Sequence, residues 1–360
     1  RNCAFSDCDM TTASDYPSGC GLYAGEKSAS AEITDCTFVR NRMKGASGGC
    51  VGFTGKGSAG DFIVARCAFR DNTCMHSNWN NTDGYYTSQQ FGACVSLAAP
   101  GVTTLIRDCS FVGNVATNYV GCGASCIVSR SDASKAVAVN CTFEANVGVA
   151  RENLDRKGVW RSVGNAGTIN ASVSGIGLVN CTFVANTNRA DAGGIVADVF
   201  AQTATPCYAL NDILWNDDPD YAPFARTDSG KLTVGRTVAK NYDESVPTAV
   251  MGFMKAEDPR LLDASAIGPN GVLARELHQG TCARGGYPVW TSGPQVFVYN
   301  REAETEEKWL NVSTRAFVAA DKLPADLELL PDAWGQARRR SSSACGALNA
   351  PPTGLMLLVR

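Results

Sequence analysis

A seven-residue pattern recurs along the first two thirds of the chain and restricts the possible folds more than any other feature. Each copy reads Asn, Asp or Arg, then Cys, a small residue, Phe, two variable residues and Asn, except that the first copy ends in Cys8. Copies begin at Asn2, Asp35, Arg66, Asp108, Asn140 and Asn180, and a degenerate copy begins at Asn211. Successive copies lie 31 to 42 residues apart. Such a period is typical of stacked structural repeats.

The spacing within each copy predicts strands that bend at a fixed corner. Cys and Phe lie two positions apart, so on a strand both side chains point to one face, which must be the interior. The apolar residue three positions before Cys, such as Ile33, reaches the same interior only if the chain bends between them. Asn and Asp tolerate the left-handed backbone of such a corner. With a further strand at a Gly-rich element such as Gly48-Gly49-Cys50-Val51, the sequence predicts a parallel coil of about three strands per turn.

Equivalent residues of successive coils should then stack at the inter-strand spacing of about 4.8 Å. We expect a core stack of aromatic rings, a corner ladder of hydrogen-bonded Asn amides and an inward stack of Cys. The predicted members are Phe38, Phe69, Phe111, Phe143 and Phe183 for the rings, Asn41, Asn72, Asn114, Asn146 and Asn186 for the amides, and Cys36, Cys67, Cys109, Cys141 and Cys181 for the thiols.

The cysteines are expected to be structural. A second inward stack would contain Cys20, Cys50, Cys94 and Cys126. Parallel stacking holds the Cβ atoms further apart than the ~3.8 Å of a disulfide, so buried free thiols are the first expectation and scattered disulfides the second. A stack does not converge four ligands on one point, so a metal centre built from these cysteines is disfavoured.

Composition disfavours two classes of partner. The 32 Lys and Arg residues face 35 Asp and Glu, a formal charge of −3, so no positive excess would hold a nucleic acid backbone. The sequence has no apolar run of the length, about 18 residues, that a membrane span requires. We expect a monomer without a cofactor.

The Phe-x-x-Asn motif followed by a Gly-rich aliphatic segment resembles the polymorphic outer membrane protein repeat. It is clearest where Phe183-Val184-Ala185-Asn186 precedes Gly193-Gly194-Ile195-Val196. Three later segments are similar to bacterial surface β-helix proteins described as carrying a choice-of-anchor domain: Ile213-Leu214-Trp215-Asn216-Asp217, Asp258-Pro259-Arg260-Leu261-Leu262 and Cys345-Gly346-Ala347-Leu348. The resemblance implies a right-handed parallel β-helix with a pectate-lyase-like fold, secretion, and attachment to a cell envelope or outer membrane.

The chain is expected to divide near residue 275. Residues 1–275 would form the β-helix, with clear repeats in 1–217 and further coils in 218–275, and 276–360 an irregular, anchor-proximal cap over the open edge of the last coil. Arg338-Arg339-Arg340 is expected to be a solvated loop. We interpret both ends as boundaries within a longer protein whose signal and anchor lie outside this sequence.

Insertions between the Asn corner and the Gly-rich strand carry the candidate binding residues. They occur at the same angular position of neighbouring coils and contain Trp79, Tyr85, Tyr86, Tyr119, Trp160 and Arg161. Loops emerging one above another would form an aromatic ridge that stacks on sugar rings or anchors a surface protein. The alternative is that these rings fold back over the wall of their own coil.

A catalytic groove is the competing interpretation. Beside the Phe stack, Arg70 and Glu144 are the only outward charged residues, so no column of carboxylates suits acid–base chemistry on that face. Asp217, Asp218 and Asp220 form the densest acidic cluster and are a weak calcium candidate against a plain solvated turn. The function predicted is therefore non-catalytic adhesion, glycan or protein binding, or a cell-envelope scaffold. The alternative is a polysaccharide lyase or glycoside hydrolase acting, on another face, on extracellular and possibly uronic-acid polysaccharide.

Overall fold

A computed structural model describes most of the chain. The described residues are 1–10, 21–24, 30–44, 49–53, 60–75, 91–92, 94–97, 101–118, 122–129, 135–154, 160–163, 165–190, 194–278, 281–303, 306–338 and 343–349. Within them, parallel strands stack coil upon coil over the first 255 residues, and the fold class, a parallel β-helix, is confirmed.

The strands fall into four columns, numbered in the order in which the chain of one coil passes through them. Column 1 precedes the Cys and contains Ala31–Thr34, Asp61–Ala65, Thr103–Arg107, Lys135–Val139, Ile176–Val179, Cys207–Leu210, Leu232–Ala239 and Ala249–Lys255. Column 2 carries the Phe and contains Ala4–Ser6, Thr37–Val39, Ala68–Arg70, Ser110–Val112, Thr142–Glu144, Thr182–Val184 and Ile213–Trp215. Residues 232–239 pair with both columns and join them into one sheet.

The other two columns complete the coil. Column 3 follows the Asn corner and contains Asp9–Met10, Arg42–Lys44, Thr73–Met75, Val115–Asn118, Val147–Ala150 and Thr187–Ala190. Column 4 contains Leu22–Ala24, Val51–Phe53, Phe91–Gly92, Val95–Leu97, Cys122–Ser129, Asn165–Ala171, Val196–Ala201 and Phe224–Arg226. Column 3 adds one strand per coil to the three that the sequence predicts. The sequence does not reveal it because each of its short strands contributes few inward apolar residues.

Left-handed backbone makes two corners in each coil. The residue before each Cys, and Asn211 in the degenerate copy, has a positive φ of 51° to 58°, including Arg66, whose guanidinium binds Asp35 at 2.6 Å. A second corner lies just before the ladder Asn, where Arg40, Ala145 and Ala185 also have positive φ. The sequence predicts a corner at this Asn but not which residue turns the chain, because the left-handed position holds Asp7, Asp71 and Gly113 in other coils and so has no constant residue type.

Side chains inside the coil repeat from turn to turn. Phe5, Phe38, Phe69, Phe111, Phe143 and Phe183 stack with ring centroids 4.5 to 5.0 Å apart. In the ladder, Asn114 Nδ2 donates to Asn146 Oδ1 at 2.9 Å and to the Phe69 carbonyl at 3.0 Å, and the same contacts recur from Asn41 onward. The interior is therefore held by ring stacking and by amides that satisfy backbone groups of adjacent coils.

The described cysteines are free thiols. Those of the first stack are buried and donate to backbone carbonyls, as Cys141 Sγ does to the Val139 carbonyl at 3.4 Å. Burial raises the pKa of Cys74, an inward residue of column 3, to about 12. Because the thiolate is the reactive form, a buried thiol with a raised pKa is inert at neutral pH.

The C-terminal region lies along the flank of the β-helix. The last parallel strand ends at Lys255, before the predicted boundary at residue 275, and the strands after it pair antiparallel. These are the hairpin Leu261–Ile267 with Leu273–Leu277, the pair Arg284–Gly286 with Ser343–Ala344, and a five-stranded sheet of Val289–Ser292, Gln295–Tyr299, Trp309–Asn311, Ala316–Val318 and Glu328–Leu329. One 3-10 turn spans Ala320–Lys322, and a second hairpin, Glu152–Leu154 with Trp160–Val163, projects from the coil.

The five-stranded sheet covers the outer face of column 1. Val289, Val298 and Leu310 of the sheet pack on outward-facing Val137 and Val179 in a buried apolar cluster. From Leu105 to Leu210, both faces of column 1 are thus buried, one in the coil and one under the sheet. The C-terminal sheet thus covers a flank of the β-helix, while Tyr242 and Val246, from the short segment after residue 239, pack against the end of the core.

Polar side chains at the first corner also bind the C-terminal region. Asn211 and Tyr287 exchange two hydrogen bonds, from Asn211 Nδ2 to the Tyr287 carbonyl at 2.8 Å and from the Tyr287 amide to Asn211 Oδ1 at 2.6 Å. The expectation of a solvated Arg338 was wrong: this side chain is buried and donates to Asn140 Oδ1 at 3.2 Å and to two backbone carbonyls. Arg339 and Arg340 lie outside the described residues.

A mostly buried carboxyl at this corner, that of Asp108, makes stability depend on pH. Burial raises the pKa of Asp108 from 3.8 to about 6. The folded protein therefore binds the Asp108 proton more tightly than the unfolded chain does. The stability that this proton contributes is fully present below pH 4 and is lost as pH rises toward 6. The shift corresponds to about 3 kcal/mol. Thermal melts of Asp108→Asn across this interval should show a shallower decline than the parent protein, and equal slopes would contradict the assignment. Burial also raises the pKa values of Asp198 and Asp212. The variant should therefore keep the part of the pH dependence of stability that these two carboxyl groups cause.

Candidate functional site

The predicted aromatic ridge falls mostly on residues outside the described part of the chain. Trp79, Tyr85, Tyr86 and Tyr119 are among those residues. Trp160 and Arg161 lie on the projecting strand, where Trp160 pairs with Leu154, and their side chains are also outside the described set. The ridge therefore stays a prediction.

The acidic cluster after column 2 is a turn held by its own hydrogen bonds. Asp217 is exposed and binds Lys240 Nζ at 2.8 Å, while Asp218 Oδ1 accepts from the Asp220 amide at 3.0 Å. Among the described residues, no group of three or more His, Cys, Asp or Glu side chains is arranged to hold a metal ion. The three carboxylates are thus not brought together around a common point.

A polar cleft lies beside this turn, next to the last strand of column 3. Asn188, Arg189, Asp218, Asp220 and Tyr221 contribute to its lining, and its volume is about 480 Å³. Behind it, the buried carboxylate of Asp198 accepts from Tyr221 Oη at 2.6 Å, from Asn188 Nδ2 at 3.1 Å and from Thr168 Oγ1 at 2.5 Å. Burial raises the pKa of Asp198. These bonds fix the wall of the cleft, and Asp198 itself is not part of the lining.

The outer face beside the Phe stack is covered by the chain itself over the later coils. Glu144, an outward residue of column 2, binds Arg275 at 2.6 Å and accepts a hydrogen bond from Ser265, both from the hairpin of residues 261–277. In the next coil, Thr182 Oγ1 accepts from the Ala347 amide at 3.0 Å. A long open groove on this face is therefore absent where these segments lie.

An aromatic cleft lies on the five-stranded C-terminal sheet and its junction with the β-helix. Each of three rings neighbours in sequence a residue that packs on column 1, so alternation along the strands directs the rings to the opposite face. The pairs are Val289 with Trp290, Val298 with Tyr299, and Leu310 with Trp309. The rings are half-buried. The register of the antiparallel strands sets Tyr299 opposite Trp309.

The three rings form one contiguous aromatic surface. The centroids of Trp290 and Trp309 are 4.8 Å apart with planes at 61°, and those of Tyr299 and Trp309 are 5.0 Å apart at 53°. The cavity they line has a volume of about 280 Å³, near the lower end of ligand sites, which run from roughly 300 to 1,000 Å³. Rings in this arrangement offer apolar faces to a small ligand while remaining partly open to solvent.

Charged and polar groups lie in the same cleft. Arg301 is exposed, and Arg236 is buried with its guanidinium 4.5 Å from the Tyr287 ring centroid. Arg236 binds Glu302 and the Gly285 carbonyl, but its Nε makes no hydrogen bond. The buried hydroxyl of Tyr287 makes no hydrogen bond of ordinary geometry, and burial raises its pKa against the opposing effect of Arg236.

These cleft residues were missed by sequence reasoning, although a signal was present. The alternation of Val with Trp or Tyr in 289–299 indicates a strand with one buried and one aromatic face. The repeat marks only the coils of the β-helix, and this alternation lies in the C-terminal region that follows them. His278, the described one of the two histidines, is exposed and is not part of the cleft lining.

The fold and the cleft define a parallel β-helix with an antiparallel sheet on its flank and an aromatic cleft on that sheet. Comparison of the chain with protein-family models, curated proteins and solved structures found no match. Among the described residues, no helix has the length and apolar character needed to cross a membrane.

Proposed function

We propose that this protein is a secreted or surface-displayed β-helix that binds a glycan without chemically changing it, and so serves adhesion or the organisation of a cell envelope. The observation that carries the proposal is the contiguous surface of Trp290, Tyr299 and Trp309 in the C-terminal cleft. Indole and phenol rings present apolar faces to the C–H faces of sugars, and their polar edges remain hydrated. A cavity of this size accommodates one or two sugar units.

The lining of the cleft does not suit glycoside hydrolysis. The charged groups among its lining residues are Arg236 and Arg301, without a carboxylate. A glycoside hydrolase needs a pair of carboxyl groups across the scissile bond. The resemblance of the repeats to surface β-helix proteins adds support for display outside the cell.

A second candidate function rests on the polar cleft beside residue 218. Asp218, Asp220 and Arg189 line one depression, and carboxylates near a basic residue suit a hydrolase or lyase. The hydrogen bond between the two aspartates joins the Asp218 carboxylate to the Asp220 backbone amide and does not orient the Asp220 carboxylate, so the binding proposal is favoured.

Truncating a ring of the aromatic cleft should weaken glycan binding. We expect Trp290→Ala and Trp309→Ala each to lower the affinity for a ligand found on a glycan array by about tenfold or more, because each removes a stacking surface. Titration calorimetry gives the affinity, and Trp215→Phe, a half-buried indole of the β-helix, is the matched control.

The same ligand decides between the two functions. Incubation with the protein should release no reducing ends and no unsaturated uronide, whose double bond absorbs in the ultraviolet. Turnover that disappears in Asp218→Asn or Asp220→Asn would establish the polar cleft as an active site and overturn the binding proposal. Unchanged affinity in both tryptophan variants would remove the aromatic cleft as the binding site.

A further inference from the structure

We propose that the aromatic cleft selects a sugar carrying an anionic substituent, a carboxylate or a sulfate, whose ring lies on the indoles and whose charge lies at the two arginines. This inference rests on the proposed function and names the class of ligand. Two features of the cleft carry it: the sign of its charge and its shape.

The charge lining the cleft is positive. Arg236 and Arg301 belong to the lining, whereas Glu302 binds Arg236 from outside it. Even with Glu302 counted, one positive charge is left over. Glu306 and Glu307 are exposed and do not belong to the lining. A choline-like cation, which aromatic rings alone would favour, meets two guanidinium groups here, whereas an anion is attracted to them.

The shape of the cleft separates the two parts of the ligand. Tyr299, Trp309 and Trp290 occupy the sheet, while Arg236 and Tyr287 lie where the sheet joins the β-helix, with the Arg236 guanidinium over the Tyr287 ring. Arg301 follows Tyr299 closely in sequence at the end of its strand. A flat ring with one charged substituent fits this division, whereas an uncharged sugar uses the rings alone.

The test compares matched oligosaccharides by titration calorimetry on the full chain. The probes are a neutral glucan, a glucuronate-containing oligosaccharide, a sulfated galactan oligosaccharide and choline. We expect one or both anionic probes to bind at least about tenfold more tightly than the glucan, and the preference to shrink as sodium chloride is raised. The two anionic arms decide whether carboxylate or sulfate is the substituent.

Arg301→Gln and Arg301→Glu probe the charge directly. Each should lower the ratio of anionic to neutral affinity, with the larger fall in Arg301→Glu. Arg42→Gln, an exposed arginine of column 3, is the control and should leave the ratio unchanged. Equal affinity for the neutral and anionic probes would overturn this inference but leave glycan binding in place. A preference for choline would also overturn this inference. Failure of every sugar to bind would overturn the proposed function as well.

Discussion

Replacing Phe111 by alanine is expected to lower the free energy of unfolding by about 5 kcal/mol, near the upper end of large-to-small core substitutions. The Phe111 ring is fully buried and stacks at 4.8 Å on Phe69 in the coil on one side and on Phe143 in the coil on the other. Truncation leaves a cavity between two coils whose strand pairing prevents them from closing on it. It also removes two aromatic contacts, each worth about 0.5–1.5 kcal/mol.

The matched control is Phe5→Ala at the end of the same stack. Phe5 is only partly buried and, among the described residues, stacks on Phe38 alone, so the expected loss is about 1–2 kcal/mol. Urea unfolding followed by circular dichroism gives both values. Equal losses at the two positions would show that the stack does not carry the stability assigned to it.

Replacing Asn114 by alanine should cost about 4 kcal/mol through lost hydrogen bonds rather than lost volume. Its amide donates to the Phe69 carbonyl and to Asn146 Oδ1, and its Oδ1 accepts from both the backbone amide and the Nδ2 of Asn72. Alanine leaves the Phe69 carbonyl and the Asn72 amide buried without these partners. The loss therefore spreads to the coils on both sides.

Two further variants separate this account from a general effect of the corner. Asn114→Asp keeps the acceptor but loses the donor and places a carboxyl group against a carbonyl, so it should be no more stable than the alanine variant at neutral pH. Asn241→Ala changes an exposed Asn that, unlike Asn114, itself has a positive φ and makes one weak contact, and we expect about 1 kcal/mol there from the backbone alone. A loss in Asn114→Ala no larger than that control would contradict the ladder's role.

Much of the β-helix follows from the sequence because position within the repeat determines environment. Cys36 and Phe38 share an inward face, and Asp35 before them must turn the chain, so one copy of the pattern specifies a corner, a strand and the coil-to-coil register. Column 3 escaped notice because short strands such as Thr73–Met75 carry too few apolar residues to mark a period. The left-handed position held by Ala145 is occupied by Asp71 and Gly113 in other coils, so no single residue type marks it.

The position of the C-terminal region could not be derived from local pattern, because it depends on which surfaces of the folded coil remain apolar. One indication existed. Strand Lys135–Val139 is apolar at Val137 and Val139 as well as at its inward positions, and a strand that is apolar on both sides is covered on both sides. The sequence does not say which segment supplies the cover, and the aromatic cleft on the covering sheet was missed for the same reason.

The covering sheet also changes how the β-helix can come apart. Repeat proteins of this kind open from their ends, one turn at a time, since each turn touches only its neighbours. Here Leu105, Val137, Val179 and Leu210, from four successive turns, share one apolar cluster with the sheet. The sheet therefore stabilises these four turns together. Unfolding that starts in the earliest turns should stop at them, before it reaches the half of the molecule that carries the cleft.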